Sequence, residues 1–307
     1  MQPAWLGYQE RGSVLGYRLI AWVARKLGRR LTRLLLYPIC LYYIVQSRET
    51  SRASRQYLQH LHGRAPGWIE VFRHHYHFAA TLLDRVFIFS APHVFDVRYY
   101  GADAFGKLAD AGRGCLMLSA HMGSYEFMRA FGLRNRFVVN MLMYEDNAQK
   151  LGTVTDSLDH EHERRIIPIG PVDSLLIAKE RLDRGELVGI LGDRTVSGER
   201  LVRARFFGKD AYFPAGPFLA AAVLKVPVVL FVCTYRGGNR YELHFETFGD
   251  QLALDRRNPA DLEKWVQRYA DRLEHYCRLE PYNWFNFYDF WAHPQEEVPA
   301  APPARAA

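Results

Sequence analysis

From about residue 95 onward, short apolar runs of strand character alternate with helical segments, and no other feature of the chain restricts its fold as tightly. Phe95–Tyr100, Cys115–Ser119, Phe137–Met143, Arg165–Ile169, Leu187–Leu191, Val228–Thr234 and Tyr241–Glu246 read as strands. Between them, Ala102–Ala111, Ser124–Phe131, Ala148–Glu163, Asp173–Arg184, Ala215–Lys225 and Pro259–Arg278 read as helices. Strands that are continuously apolar, rather than alternating, are suited to burial on both faces. The expected fold is therefore α/β, with a central, largely parallel sheet flanked by helices. Ligands of such sheets sit beyond the carboxyl ends of strands. His121 follows one strand end and Asp193 another.

The region before this alternation differs. Residues 14–27 place apolar side chains on most of one helical face, and Gly28-Arg29-Arg30 punctuates them. The segment 34–45, LLLYPICLYYIV, is uncharged but twelve residues long and carries Pro38. A helix needs roughly 20 apolar residues to span a bilayer, so a basic, aromatic-rich helical pair is expected to lie in the membrane interface. The competing reading is a pair of core helices. Residues 48–90 read as helical with a break at 63–67. His74, His75 and His77 fall on this helix, but adjacent helical residues point apart and no carboxylate or cysteine completes a metal site. A solvated or partner-facing surface is the expectation there, and no metal is expected. The tail after Pro294 is Pro/Ala-rich and expected to be disordered. This divides the chain into a membrane-associating segment 1–47, a main domain 48–293 and a tail 294–307.

Charge narrows the partners. The formal net charge is +7, and residues 1–60 carry ten Lys/Arg against two acids. Such a balance favours an anionic partner. No nucleic-acid module is visible, so an anionic membrane or an acidic protein is favoured over nucleic acid. Cys40, Cys115, Cys233 and Cys277 match neither a metal-ligand spacing nor a disulfide framework and are expected as buried thiols.

Two stretches carry chemistry. In Cys115–Phe131, His121 leaves a strand and Glu126 enters a helix five residues later, across a bend at Met122-Gly123. That spacing can bring a base and a carboxylate orienter together. A histidine that merely makes local hydrogen bonds is the plainer alternative. Neither Ser119 nor Ser124 sits in a nucleophile elbow, and capping suits Ser124. The second stretch, 187–227, delivers Gly192-Asp193-Arg194 at a strand end. A polar loop with Arg200, Arg203 and Arg205, then Phe206-Phe207-Gly208, leads into an Ala-rich helix. A cationic loop beside an apolar entrance suits a ligand with a phosphate and a greasy chain. A structural Asp193–Arg194 ion-pair network is an equal alternative for Asp193 alone.

Taken together, His121-x4-Glu126, the block GDR…FFGKDAYFPAGPFLAAAVLKVPVVLFV and the terminal PYNWFNFYDFW resemble the bacterial lipid A biosynthesis acyltransferase family, within the lysophospholipid-acyltransferase-like superfamily. The resemblance runs in order over roughly residues 14–291. It implies an O-acyltransferase that moves a fatty acyl chain from an acyl-carrier-protein or coenzyme A thioester to a hydroxyl of a membrane lipid. No cofactor is implied beyond that acyl co-substrate. It also implies placement at the cytoplasmic face of a bacterial inner membrane. His121 would be the general base and Glu126 its orienter. Arg194, Arg164 and Arg165 are candidates for stabilising the oxyanion, and Asp193 and Arg205 for binding substrate. The GDR triplet has Arg where many relatives have Gln, which leaves glycerophospholipid or aryl-polyene-type acceptors open. From another class, a degenerate lipid-binding relative and a soluble hydrolase are the alternatives.

Overall fold

The computed structural model describes residues 14–135, 137–143, 165–170, 173–194, 199–255 and 258–292. Its centre is a seven-stranded sheet of β1 (Asp96–Tyr100), β2 (Cys115–Ser119), β3 (Val139–Met143), β4 (Ile166–Pro168), β5 (Leu187–Leu191), β8 (Val228–Tyr235) and β9 (Arg240–Gly249). The spatial order is β1-β9-β8-β2-β5-β3-β4. All neighbours are parallel except β8 and β9, which form an antiparallel pair. Every residue of β2 and β8 is buried, as expected of strands covered by helices on both faces.

The expected α/β architecture is thus found, and the strands coincide with the apolar runs to within a few residues. The expected helix Ala148–Glu163 and the tail 294–307 lie outside the described residues. The helices that follow β1, β2, β4, β7 (Lys209–Pro214) and β9 are α4 (Ala102–Asp110), α5 (Glu126–Arg134), α6 (Ser174–Asp183), α7 (Gly216–Leu224) and α8 (Pro259–Leu279). Asn258 caps α8 by accepting a hydrogen bond from the Ala260 N–H, with Pro259 opening its first turn.

One expectation is corrected outright. The polar loop carrying Arg203 and Arg205 is a β-hairpin, β6 (Leu201–Phe206) and β7 (Lys209–Pro214). Val202, Ala204 and Phe206 are buried while Arg203 and Arg205 are exposed, so the run had the two-residue period of a half-covered strand. The turn is Phe207-Gly208, both with positive φ (50° and 71°). That conformation matches the twist of a two-residue hairpin. Gln267 of α8 brackets the Arg205 backbone, accepting from its N–H and donating to its carbonyl.

Among the described residues three α-helices precede the sheet: α1 (Val14–Gln46), α2 (Arg48–His62) and α3 (Trp68–Ile88). Gly28, at φ 72°, kinks α1. Beyond the kink α1 packs on α3 and is clamped by charge. Asp84 of α3 has no exposed side-chain surface. It accepts two hydrogen bonds from Arg29 at 2.7 Å and one from the Tyr241 hydroxyl. Arg33 approaches the same carboxylate at 3.7 Å, and both arginines donate to the Gly238 carbonyl in the β8–β9 turn. The opposite face of α1 is apolar yet open: Leu31, Leu34, Tyr42 and Val45 are exposed, and Trp68 and Ile69 at the start of α3 are exposed as well. No described helix is long and apolar enough to cross a membrane.

The histidine cluster is also corrected. His74 and His75 are buried rather than solvated, because α3 is covered by α2 and by the terminal aromatic block. His74 is stacked on Phe287 and hydrogen-bonded at both ring nitrogens, to the Ser54 hydroxyl and the Trp284 carbonyl, each at 2.8 Å. Burial, reinforced by His75, pushes its pKa down to about 3. It is neutral, donating Nε2–H to the carbonyl and accepting from Ser54 at Nδ1.

The Asp84 clamp makes a stability prediction. Asp84→Ala leaves two guanidinium groups without their carboxylate and is expected to cost about 3 kcal/mol. Urea unfolding measures this, and an unchanged midpoint would show that the clamp contributes nothing.

Candidate active site

The register of β2 and β5 creates the site. Ser119 pairs with Leu191 at the last rung, and the Gly192 N–H donates to the Ser119 carbonyl at 2.9 Å. Two parallel strands ending level bring the residues two positions further on, His121 and Asp193, side by side. The His121 backbone N–H donates to Asp193 Oδ2 at 2.9 Å, and His121 Nδ1 lies 2.8 Å from Oδ1. The His121 imidazole keeps 22% of its surface exposed against 2% for the Asp193 carboxylate.

The bend between β2 and α5 admits only glycine at position 123. Its φ is 59°, and a Cβ there would stand 2.2 Å from the Cys233 carbonyl oxygen. The Gly123 N–H donates to the Asn283 carbonyl, and the Phe285 N–H donates to the His121 carbonyl, both at 2.9 Å. Residues 283–285 thus run antiparallel to 121–123 and hold the histidine loop from the far end of the chain. The Asn283 side chain fixes this segment by pairing with both backbone groups of Tyr235 at the end of β8.

Trp284 completes the arrangement. Its indole Nε1–H donates to Asp193 Oδ2 at 2.9 Å, so the buried carboxylate accepts three N–H groups. Burial by itself would raise the Asp193 carboxyl; His121, Arg194 and the Trp284 hydrogen bond outweigh it and hold the group below the usual carboxylate range. An ionised carboxylate only accepts hydrogen bonds. Nδ1 of His121 therefore carries the proton, and Nε2 presents a lone pair. Burial disfavours the imidazolium and the Arg194 and Arg85 guanidiniums add to that, against the pull of Asp193. The balance holds His121 below its ordinary value, neutral at pH 7.

The remaining candidates are placed as follows. Glu126, in the first turn of α5, is buried. It accepts from the Ser124 hydroxyl at 2.8 Å and forms an ion pair with Arg85 of α3 at 2.8 Å. Among the described residues, no hydrogen bond or ion pair joins it to His121. Arg194 donates to the Phe285 carbonyl at 3.1 Å and is held beside the histidine loop. Arg205 bonds Asp210 and the Gly208 carbonyl on the exposed hairpin, in a groove shared with Glu263, Lys264 and Gln267 of α8. No described contact ties it to the His121 loop. Arg165 opens the turn into β4, and Arg164 lies outside the described residues. The cysteines are buried and unpaired; burial pushes the Cys115 thiol up to about 12, which removes it as a nucleophile.

Sequence reasoning missed Trp284 as a partner of Asp193 and Arg85 as a partner of Glu126. The terminal PYNWFNFYDFW block carried the only signal for Trp284, since so dense an aromatic run containing polar atoms has to bury N–H groups that need acceptors. Nothing in the sequence pairs Arg85 with Glu126.

An open sheet whose adjacent strand ends present a neutral histidine and a buried carboxylate suits base catalysis at a hydroxyl, and the chain is a member of an acyltransferase family (EC 2.3.1). It belongs to the bacterial lipid A biosynthesis acyltransferase family, whose model matches residues 83–293, more than half of its length. No curated protein matches it as a relative. His121, Asp193, Trp284, Glu126 and Arg85 all fall inside the matched region; α1, α2 and most of α3 precede it.

Gly123→Ala is expected to destabilise the protein by about 2 kcal/mol or more, since it combines a left-handed φ with a backbone clash. Thermal unfolding measures the loss, and a wild-type melting temperature would show that the bend can relax.

Proposed function

We propose that the protein transfers a fatty acyl chain from an acyl-carrier-protein or coenzyme A thioester to a hydroxyl of a membrane lipid, with His121 as general base and Asp193 as the carboxylate that orients it. What carries this reading is the His121 Nδ1–Asp193 bond at the level ends of β2 and β5, in a member of an acyltransferase family. The lone pair on Nε2 takes the acceptor proton as the hydroxyl oxygen attacks the thioester carbonyl. The imidazolium so formed is stabilised by Asp193 and returns the proton to the departing thiolate. No acyl-enzyme is needed. Compared with the sequence expectation, the orienting role moves from Glu126 to Asp193. Arg194, held on the Phe285 carbonyl, is the leading cation of the site.

The lipid acceptor places the work at a membrane surface, which we assign to the cytoplasmic face of the bacterial inner membrane. The open apolar row of α1 and the exposed Trp68 and Ile69 support attachment there. The basic residues interspersed along 25–55 would add attraction to anionic headgroups and to an acidic carrier protein.

Three experiments test this proposal. His121→Ala is expected to reduce acyl transfer by about 100-fold or more, and near-wild-type turnover would sink the mechanism. The acid limb of kcat/KM is expected below pH 6.5, because a base held below its ordinary pKa stays neutral further into acid. Asp193→Asn removes the one group that raises His121 and should move that limb lower still, along with a large fall in rate. An unmoved limb would separate Asp193 from the base. For attachment, high salt and alkaline washing are expected to strip much of the protein from membranes. Complete resistance to both would overturn interfacial attachment.

A further inference from the structure

Glu126 poses a question that the His121–Asp193 pair leaves open. It is a buried carboxylate, close in sequence to the histidine, yet bonded to Ser124 and paired with Arg85 instead. One of its oxygens accepts from Ser124, and the other stands 2.8 Å from Arg85 Nε as an ion pair without hydrogen-bond geometry. Removing either charge from such a pair is costly, but the pair as a whole adds little net stability. Its evident product is position: Arg85 is held in one place.

That place is beside the histidine loop. On α3, Arg85 lies seven residues beyond Phe78, on the same helical face. Phe78 packs at 5.3 Å on Phe285, whose backbone N–H holds the His121 carbonyl. The Arg85 guanidinium stands over the Tyr125 ring at 5.2 Å, and Tyr125 lies between Ser124 and Glu126 in the same bend. The side chain is 22% exposed against 3% for Glu126, so the carboxylate is sealed and the cation reaches outward. Arg85 also stands near enough to His121 to disfavour its protonation, as Arg194 does.

We propose that Glu126 serves the site by holding Arg85, and that the Arg85 guanidinium faces the negative charge that builds on the thioester carbonyl oxygen during transfer. The proposal rests on the acyl-transfer role assigned to His121. When the acceptor oxygen bonds the carbonyl carbon, its proton passes to Nε2 of His121 and the carbonyl π electrons move onto oxygen. That oxyanion is the charge Arg85 meets, fixed in advance and permanently ionised. The electron pair then returns, the carbon–sulfur bond breaks, and the thiolate takes the proton from His121. Glu126 is a positioning residue here and touches neither substrate nor base.

The test uses the full chain with a long-chain acyl-CoA or acyl-carrier-protein thioester as donor and a bacterial lipid extract as acceptor, following thiol release. Arg85→Met is expected to lower kcat about 100-fold with little change in the acceptor KM, and Arg85→Lys to recover part of that loss. Glu126→Gln should lower kcat about 10-fold. Combined with Arg85→Met it should add less than about 3-fold, because Glu126 acts through Arg85. The charged groups acting on His121 are Asp193, Arg194 and Arg85, so loss of Arg85 should raise the acid limb of kcat/KM, a shift that a merely structural role would not produce. Circular dichroism melting confirms that each variant is folded, and the conservative Arg85→Lys serves if Arg85→Met is not. Multiplicative losses in the double variant, or an effect of Arg85→Met confined to KM, would overturn the proposal. Failure of the base itself registers separately, as turnover retained by His121→Ala while the double-variant comparison still stands.

Discussion

Three N–H groups converge on the Asp193 carboxylate: the His121 backbone, the His121 ring and the Trp284 indole. With the carboxylate itself they join three parts of the chain that are distant in sequence, the ends of β2 and β5 and the terminal aromatic block. A buried carboxylate without such donors would be protonated or excluded. Satisfied by three, it stays ionised, fixes the tautomer of His121 and ties the end of the chain to the centre of the sheet. Much of the local architecture follows from meeting that requirement, including the glycine-only bend at Gly123 and the antiparallel pairing of 121–123 with 283–285.

The sheet was legible in the sequence because burial on both faces leaves an unmistakable mark: β2, β5 and β8 are uninterrupted apolar runs, and their ends fall where polar residues begin. The placement of His121 and Asp193 beyond two such ends was legible for the same reason. Their adjacency was not. It depends on β2 and β5 being neighbours in register, a fact of topology that no local window contains. Spacing therefore favoured Glu126, five residues from His121, over Asp193, seventy-two residues away.

The other departures have physical causes of the same kind. The β6–β7 hairpin was concealed by arginines, although its apolar residues alternate correctly. Its outward face bears charge, and the whole segment then resembles a loop. His74 and His75 looked solvated because histidine is polar and two of them stood together. In the folded protein α3 is enclosed, and each histidine has found local partners: Ser54 and Trp284 for one, the Val71 carbonyl for the other. Polarity marks a need for hydrogen bonds, which water and the protein interior can both supply.

The bond between His74 and the Trp284 carbonyl extends the network around Asp193 beyond the residues that the family model matches. Ser54 on α2 holds His74, His74 holds Trp284, and Trp284 holds Asp193. Two of these four residues precede position 83, where the family match begins. The segment that the family model matches is thus braced by two helices that lie wholly or mostly outside the match. An excised 83–293 fragment would carry His121, Asp193 and Trp284, yet lack Ser54 and His74, through which the Trp284 carbonyl is held. The histidine–carboxylate pair lies in one segment, and part of what holds Trp284 against it comes from another.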